Sequence, residues 1–452
     1  MSSIFSYVLA ALTTLVLVSR GGVLARQAQE PKLADLEKSA KAFVKLLEKG
    51  EFKKATQDFD ATMKEKMPAD KLEGVWKDLV QQVGAFKQQG STRTEKVKEY
   101  IIVHVTCEFA MDTLETRVVF NKDKQIAGLF FGPKKKAAAD YQAPAYVKRE
   151  SFRERDLTVN TGEWPLPATL TEPNGNGPWP VVVLVHGSGP QDRDEMIGPN
   201  KPFRDLAWGL ASNGISVLRY EKRTKAHATR MKADVEKITV KEEVIDDALA
   251  AVALLRKTER IDPKRIFVLG HSLGGMCLPR IGAQDPLIAG LVSLAGSTRA
   301  LEDVVVDQFN YILSLNELTD EQKKRIEELR DKCAEMQKQL HNGGALPAKL
   351  PLGFTAAYLA NLSQYRPAES AKTVKQPMLI LQGERDYQVT VQDFDGWKKS
   401  LAGRKDVTFK TYPKLNHLFM EGVGKAKPSE YEKEGHVSGE VIEDIAAWIK
   451  SK

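Results

Sequence analysis

The strongest constraint on the fold is an alternation of short apolar segments with helical segments over residues 147–452. The apolar segments are continuous and lack the polar alternation of a strand with one solvated face. Continuous apolar strands between helices are typical of a mainly parallel sheet that helices cover on both faces. We therefore predict an α/β domain here. Its strands are predicted at 180–186, 215–220, 265–270, 287–294, 376–382 and 407–412, and its helices include 201–213, 241–257 and 437–450.

One excursion, at about residues 298–365, interrupts this alternation. Its clearest helix is predicted at 320–340, where Thr319 and Gln322 form a capping-box pattern. The apolar residues of this helix form one narrow stripe, which is typical of a helix that lies on a surface. Because the excursion falls between two late strands, we predict a helical lid over the carboxyl edge of the sheet. A purely structural insertion is the alternative.

The preceding segment, residues 30–133, shows a different pattern. Apolar residues recur at helical spacing and then at strand spacing, which predicts a small α+β domain with an antiparallel sheet. The helical segments are 33–47 and 70–83, and the strand segments are 100–106, 115–120 and 126–131. Residues 134–146 are predicted to link the two domains.

The first 25 residues have the features of a signal peptide. Residues 4–18 carry no charge and match the length of a signal-peptide apolar region, but a membrane span needs ~20 residues. Ala25 and Ala28 offer small residues for cleavage. We therefore expect export to the periplasm or the extracellular space, with no stable membrane span after cleavage. An uncleaved N-terminal anchor is the alternative.

Charge and cysteine content exclude several classes of protein. The 67 basic and 60 acidic side chains give a formal net charge of +7, and both signs are interspersed along the chain. A nucleic acid partner is not indicated, because the sequence has no stretch of clustered basic residues with interleaved aromatic residues. Cys107, Cys277 and Cys333 lie far apart and form no CxxC pattern, so we predict core positions rather than a disulfide framework or a zinc site.

The sharpest motif is the segment Gly270 to Gly274, which reads G-H-S-L-G and follows an apolar strand. A serine at a tight turn between a strand and a helix exposes its hydroxyl, and the flanking glycines allow the strand and helix to approach. The pentapeptide alone is weak evidence, but its position after a buried strand makes Ser272 the candidate nucleophile.

A glycine-containing loop, His186 to Pro190, follows an earlier apolar strand. Such a loop supplies one backbone N–H of an oxyanion hole, and the residue after the nucleophile supplies the other. The candidate donors are therefore the N–H groups of Ser188 and Leu273.

Where a nucleophile lies at such a turn of a parallel α/β sheet, the acid follows it in the chain and the histidine base comes last. His417 comes just after the strand 407–412, whereas the other late histidine, His436, precedes the final helix. Asp386 follows the strand 376–382 and is the candidate acid. Alternative acids are Glu384, Asp393 and Asp395.

These stretches resemble the secreted α/β-hydrolase esterases of the EstD-like group over roughly residues 148–450. The resemblance lies in the Gly270 to Gly274 turn and in the segments 186–194, 200–207, 219–224 and 383–389. Residues 30–133 resemble the DUF3887 domains, which are similar to the cone-shaped nuclear-transport-factor-2-like fold. The resemblance implies an α/β-hydrolase fold and carboxylesterase activity on short acyl esters, without a cofactor.

The expected function is therefore hydrolysis of a small carboxylic ester by a Ser272–His417–Asp386 triad through an acyl-enzyme. The alternatives are a peptidase or an acyltransferase on the same fold, because a fold does not fix a function. A catalytically inert protein that binds cell wall or carbohydrate is the alternative from another class. The sequence does not predict an oligomeric state.

Overall fold

The computed structural model describes residues 33–97, 99–133, 141–231, 235–315, 317–344, 346 and 350–452. The predicted signal peptide and the first part of the predicted linker lie outside these residues. The chain divides into two compact units between residues 139 and 140. None of the helices in the described ranges combines the length and apolar character that a membrane crossing requires.

The first unit joins helices to a four-stranded antiparallel sheet of order β1-β2-β3-β4. The apolar residues predicted for the first helix, from Leu36 to Leu47, are all buried against this sheet. The α+β prediction is therefore confirmed, although strand β1 was not predicted. The helices are α1 (Leu33–Glu48), α2 (Phe52–Ala55), α3 (Ala61–Lys66) and α4 (Ala69–Val83), and the strands are β1 (Phe86–Val97), β2 (Tyr100–Phe109), β3 (Thr113–Phe120) and β4 (Ile126–Pro133).

The second unit is built on an eight-stranded sheet of order β12-β11-β10-β9-β7-β8-β6-β5. The strands from β12 to β8 are parallel to their neighbours, whereas β6 and β5 are added antiparallel at one edge. The strands are β5 (Phe152–Val159), β6 (Leu166–Pro173), β7 (Trp179–Val185), β8 (Ser216–Tyr220), β9 (Ile261–His271), β10 (Gly290–Leu294), β11 (Met378–Gly383) and β12 (Val407–Tyr412).

Helices cover both faces of this sheet, as the continuous apolar strands predicted. In β7, Val181 and Val183 face a core beneath α8, α9, α13 and α14, while Val182 and Leu184 face a core beneath α5 and α15. The helices are α5 (Pro202–Ser212), α6 (Arg223–Ala226), α7 (Ala228–Met231), α8 (Asp246–Leu255), α9 (Leu273–Gln284), α10 (Leu301–Leu313), α11 (Asp320–His341), α12 (Ala356–Ser363), α13 (Pro367–Ala371), α14 (Val391–Ser400) and α15 (Gly439–Lys450). A π-helical turn, Lys241–Ile245, precedes α8.

The excursion between β10 and β11 contains α10, α11 and α12. The capping box of α11 is confirmed, because Thr319 accepts from the Gln322 backbone and the Gln322 side chain accepts from the Thr319 backbone. Helix α12 is fastened to the sheet-covering helix α9, since Arg280 donates to both the side chain and the carbonyl of Asn361. The excursion is therefore a helical layer with defined contacts to the main body.

Parallel strands that end at one edge bring their following loops together, and ligands bind at this carboxyl edge in open α/β sheets. The predicted functional loops lie at this carboxyl edge, because they follow strands β7, β9, β11 and β12.

Candidate active site

Ser272 lies in the turn between β9 and α9 with a strained backbone, φ 52° and ψ −115°. Positive φ is uncommon and costly in a non-glycine residue, and such strained residues often cluster at active sites. The turn is tight enough that a Cβ on Gly270 would lie 2.3 Å from the carbonyl carbon of Gly274, and one on Gly274 would lie 2.2 Å from the carbonyl oxygen of Val185. The side chain of Ser272 is partly exposed. The geometry is that of a nucleophile elbow.

His417 and Asp386 form a hydrogen-bonded pair, with 2.6 Å between His417 Nδ1 and Asp386 Oδ2. Both side chains are buried. The other carboxylate oxygen, Asp386 Oδ1, accepts from the backbone N–H groups of Gln388 at 2.7 Å and Val389 at 3.0 Å. These bonds fix the carboxylate, and the carboxylate in turn fixes the imidazole so that its Nε2 is free for proton transfer.

The alternative acids and base occupy other environments. Glu384 accepts from Thr411, and Asp395 is exposed on α14. Asp393 is buried beneath Ser297, Thr298 and Arg299. His436 pairs with Asp205 at 3.2 Å. Of the predicted alternatives, the structure thus brings only His417 and Asp386 into contact with each other.

The loop after β7 approaches the elbow directly, since a Cβ on Gly187 would lie 3.2 Å from the Cβ of Ser272. The N–H of Gly187 is occupied, because it donates to Glu195 Oε1 at 2.6 Å. The next N–H along the chain, that of Ser188, and the N–H of Leu273 have no hydrogen-bond acceptor within the described parts of the chain. These two groups are therefore free to bind a substrate oxygen.

A buried ionic pair lies behind the elbow. His271 Nδ1 is 2.9 Å from Glu195 Oε2, and both side chains are buried. Burial would lower the pKa of His271, but the Glu195 carboxylate outweighs it and raises this pKa above its usual value. Burial would likewise raise the pKa of Glu195, yet the His271 imidazole and other partners hold it below its usual value. By contrast, burial lowers the pKa of His186 to about 4, so this ring stays neutral at physiological pH.

Sequence reasoning did not assign roles to Glu195, His271 or Lys222. The ammonium of Lys222 is buried and donates to the carbonyl oxygen of Gly187 at 2.7 Å. One sequence feature could have drawn attention to them: each is a charged or titratable residue in a segment that follows a buried strand.

The backbone also marks this region as strained. Glu195, Ala295 and Phe419 adopt positive φ values of 50°, 51° and 57°, as Ser272 does. Ala295 follows β10, and Phe419 lies two residues after His417. Strained residues in the loops that surround a candidate nucleophile are typical of a preorganised site.

Other sequence predictions can be placed as well. The arginines of the segments 186–194 and 219–224 form ion pairs: Arg193 with Glu221, Arg219 with Asp194, and Arg223 with Asp247. The three cysteines are free and buried, as expected for core residues.

Comparisons with known proteins agree with this architecture. A family model described as "Serine aminopeptidase, S33" (Hydrolase_4) matches residues 178–422, and one described as "Protein of unknown function (DUF3887)" matches residues 40–129. The esterase EstD of Thermotoga maritima is 40% identical over 413 residues, which cover 91% of this chain and 95% of that protein.

Solved structures are more distant in sequence. An esterase of Pyrococcus furiosus is 15% identical, with a TM-score of 0.44 over 70% of this chain and 96% of its own. Est1E from Butyrivibrio proteoclasticus is 16% identical, with a TM-score of 0.43 over 66% of this chain and 99% of its own. The hydrolase family model matches more than half of the chain, and the relationship to EstD extends along nearly its whole length. The chain therefore belongs to the α/β-hydrolase family, in the group of esterases related to EstD.

Proposed function

We propose that the protein is a serine carboxylesterase that uses Ser272, His417 and Asp386 as its catalytic triad and forms an acyl-enzyme. The observation that carries this proposal is the buried His417–Asp386 hydrogen bond at the same sheet edge as the strained Ser272 elbow. The relationship to an esterase over nearly the whole chain supports an ester substrate.

The mechanism follows from the chemistry of these groups. With Nδ1–H donated to Asp386, His417 accepts the Ser272 hydroxyl proton at Nε2 while Oγ bonds to the ester carbonyl carbon. The N–H groups of Ser188 and Leu273 stabilise the oxyanion, and one such donor is worth ~2.7–4 kcal/mol.

Collapse of the tetrahedral intermediate breaks the bond to the alcohol, which leaves with the proton from His417. A water molecule then gives its proton to His417 and attacks the acyl-enzyme, and Ser272 is regenerated as the acid departs. Asp386 stays ionised throughout and stabilises the imidazolium.

A peptidase remains the second candidate, because the matching family model is described as a serine aminopeptidase. The triad chemistry is the same for an amide, so the substrate must decide between them. We expect p-nitrophenyl acetate to be cleaved with a higher kcat/KM than aminoacyl p-nitroanilides, and the reverse order would favour the peptidase.

A fluorophosphonate probe tests the nucleophile directly. The wild type should be labelled and Ser272→Ala should not. Ser400→Ala, which removes a hydroxyl on α14 that bonds Glu369, should be labelled like the wild type. Absence of labelling in the wild type, or equal labelling of Ser272→Ala, would overturn the proposal.

A further inference from the structure

The side chain of Lys222 is almost completely buried, with 2% of its surface exposed. It follows β8 and lies between two partners: its ammonium donates to the Gly187 carbonyl oxygen at 2.7 Å and pairs with Glu243 Oε1 at 3.0 Å. Lysine is among the residues least often buried, because removing its charge from water is costly. A buried lysine that binds one backbone carbonyl beside the candidate nucleophile therefore calls for an explanation.

The geometry of the peptide group supplies one. The carbonyl of Gly187 and the N–H of Ser188 belong to the same peptide unit, which is planar and trans. In such a unit the C=O and N–H bonds point in opposite directions. A cation that fixes the Gly187 oxygen on one side therefore turns the Ser188 N–H toward the other side.

Gly187 is held at its other polar group as well. Its N–H donates to Glu195 Oε1 at 2.6 Å, and Glu195 Oε2 lies 2.9 Å from Nδ1 of His271, the residue before Ser272. Lys222 and Glu195 thus fix the peptide units on both sides of Gly187. With both units fixed, the Ser188 N–H has little freedom to rotate away from the elbow.

The charge of Lys222 adds an electronic effect. A cation at a carbonyl oxygen polarises the peptide group and increases the positive charge on its N–H, because hydrogen bonds in a chain strengthen one another in a low dielectric. The Ser188 N–H would therefore donate more strongly to a developing oxyanion than an ordinary amide.

The countercharge is itself fully engaged. Glu243 Oε1 also lies 3.3 Å from the Thr224 hydroxyl, and its Oε2 accepts from the Tyr358 hydroxyl at 2.7 Å. Lys222 is therefore held in place before any substrate binds, which is the preorganisation that oxyanion stabilisation requires.

We propose that Lys222 is a positioning residue for ester hydrolysis: through the Gly187 carbonyl, it orients and polarises the Ser188 N–H as an oxyanion donor. This inference rests on the proposed esterase function.

A neighbouring ion pair offers a matched control. Arg223 and Asp247 form a buried ion pair. Arg223 directly follows Lys222, and Asp247 lies four residues after Glu243. Within the described residues, the Arg223 guanidinium donates to Asp247 and not to the Gly187 carbonyl. Removing this pair tests what the loss of a buried ion pair does by itself at nearly the same place.

The experiment compares two double variants of the full chain, Lys222→Met/Glu243→Gln and Arg223→Met/Asp247→Asn. Each removes both charges, so that neither leaves an unpaired buried ion. We expect the first to lower kcat for p-nitrophenyl acetate by about 10- to 100-fold. This loss is smaller than the ~10²–10³-fold that follows complete removal of an oxyanion donor, because the Ser188 N–H is still present. Its KM and the apparent pKa of its kcat/KM profile should stay near those of the wild type, because the His417–Asp386 pair is untouched. The control should keep the wild-type kcat.

A boronic acid inhibitor provides a readout that general loosening would not reproduce, because its tetrahedral adduct with Ser272 places an oxygen at the oxyanion position. Its inhibition constant should rise in parallel with the loss of kcat only in the Lys222 variant. Equal losses in both double variants, or wild-type kcat in the Lys222 variant, would overturn the inference.

Misfolding of the double variant and failure of the proposed function can both be distinguished from failure of this inference. If the Lys222 double variant does not fold, Lys222→Arg keeps the cation but replaces its point donor with a larger planar group, which should misplace the Gly187 carbonyl and lower kcat selectively, though by less than loss of the charge. Wild-type kcat in that variant would count against the inference. Wild-type protein that neither reacts with the fluorophosphonate nor cleaves the ester would overturn the proposed function itself.

Discussion

The Nε2 atom of His271 lies 2.9 Å from the main-chain oxygen of His417. The residue before the candidate nucleophile thus holds the loop of the candidate base, and its other ring nitrogen faces Glu195. The elbow, the histidine loop and the loop after β7 are in this way joined through one buried ionic pair.

This pair makes a pH-dependent contribution to stability. The pKa of Glu195 is held below its ordinary 4.5 and that of His271 is raised above its ordinary 6.5. The stabilisation by Glu195 is lost as the pH falls through its folded pKa, and that by His271 is lost as the pH rises through its own. The contribution is therefore complete between about pH 4.5 and 6.5.

Glu195→Gln should remove this pH-dependent contribution to stability. We expect the difference in Tm between wild type and variant to be greatest near pH 6, by a few degrees, and to shrink toward pH 9. Thermal unfolding followed by circular dichroism at both pH values measures it. A difference that grows with rising pH would contradict the assigned ion pair.

The two late histidines should differ in their effect on catalysis. His417→Ala removes the proposed base and should lower kcat for p-nitrophenyl acetate by about 10⁴-fold or more. His436→Ala only removes a partner of Asp205 and should leave kcat near the wild-type value. Steady-state kinetics of both variants decides between them, and the opposite pattern would reverse the assignment.

Asp386→Asn should retain the fold but not the activity. The amide oxygen can still accept from the N–H groups of Gln388 and Val389, so the loop should keep its shape. The side-chain amide presented to His417 no longer enforces the tautomer with a free Nε2, and we expect kcat to fall by about 10⁴-fold. An unchanged melting temperature together with this loss of kcat supports Asp386 as the acid of the triad. Glu384→Gln, which alters the alternative acid, should remain active.

Gly274→Ala should be among the most damaging single substitutions. Its Cβ would lie 2.2 Å from the Val185 carbonyl oxygen, so β7 and α9 would have to separate. We expect destabilisation of about 4 kcal/mol or more, together with loss of esterase activity. Gly403→Ala is the control, since nothing lies within 4 Å of its Cβ, and it should change stability by less than about 0.5 kcal/mol. Urea unfolding of both variants measures the contrast.

The N-terminal unit is predicted to be dispensable for the chemistry. All proposed catalytic groups lie in the second unit, which has its own two-sided core. Deletion of residues 26–133 should therefore leave kcat/KM for short esters at the same order of magnitude. Loss of activity in a fragment whose circular dichroism shows a folded α/β domain would indicate that the first unit contributes to the site.

The sequence predicted the parallel part of the sheet because its strands are buried on both faces and are therefore continuously apolar. Strand β1 (Phe86–Val97) was missed since its residues are mostly polar and none of those described is fully buried. Strand β5 (Phe152–Val159) was missed because it lies at the sheet edge and buries only its two end residues completely.

The candidate triad could be predicted because each member follows a recognisable strand. The contacts of Glu195 and Lys222 could not, because they join segments that are distant in sequence: Lys222 and the Gly187 carbonyl are 35 residues apart. Pairing between buried charges has no periodicity that a single sequence reveals, so these roles emerge only when the loops are assembled.

The two ends of the excursion are fixed to the main body. At its start, the buried Asp393 of α14 accepts from Ser297 Oγ and from the Thr298 N–H, both at 3.0 Å. At its end, the Tyr365 hydroxyl donates to the Met276 carbonyl of α9 at 3.1 Å. A rigid flap that swings about these junctions would have to break buried polar bonds at both. We therefore expect any opening toward substrate to be a bend within the excursion, around the mainly polar α11, with its two roots kept in place.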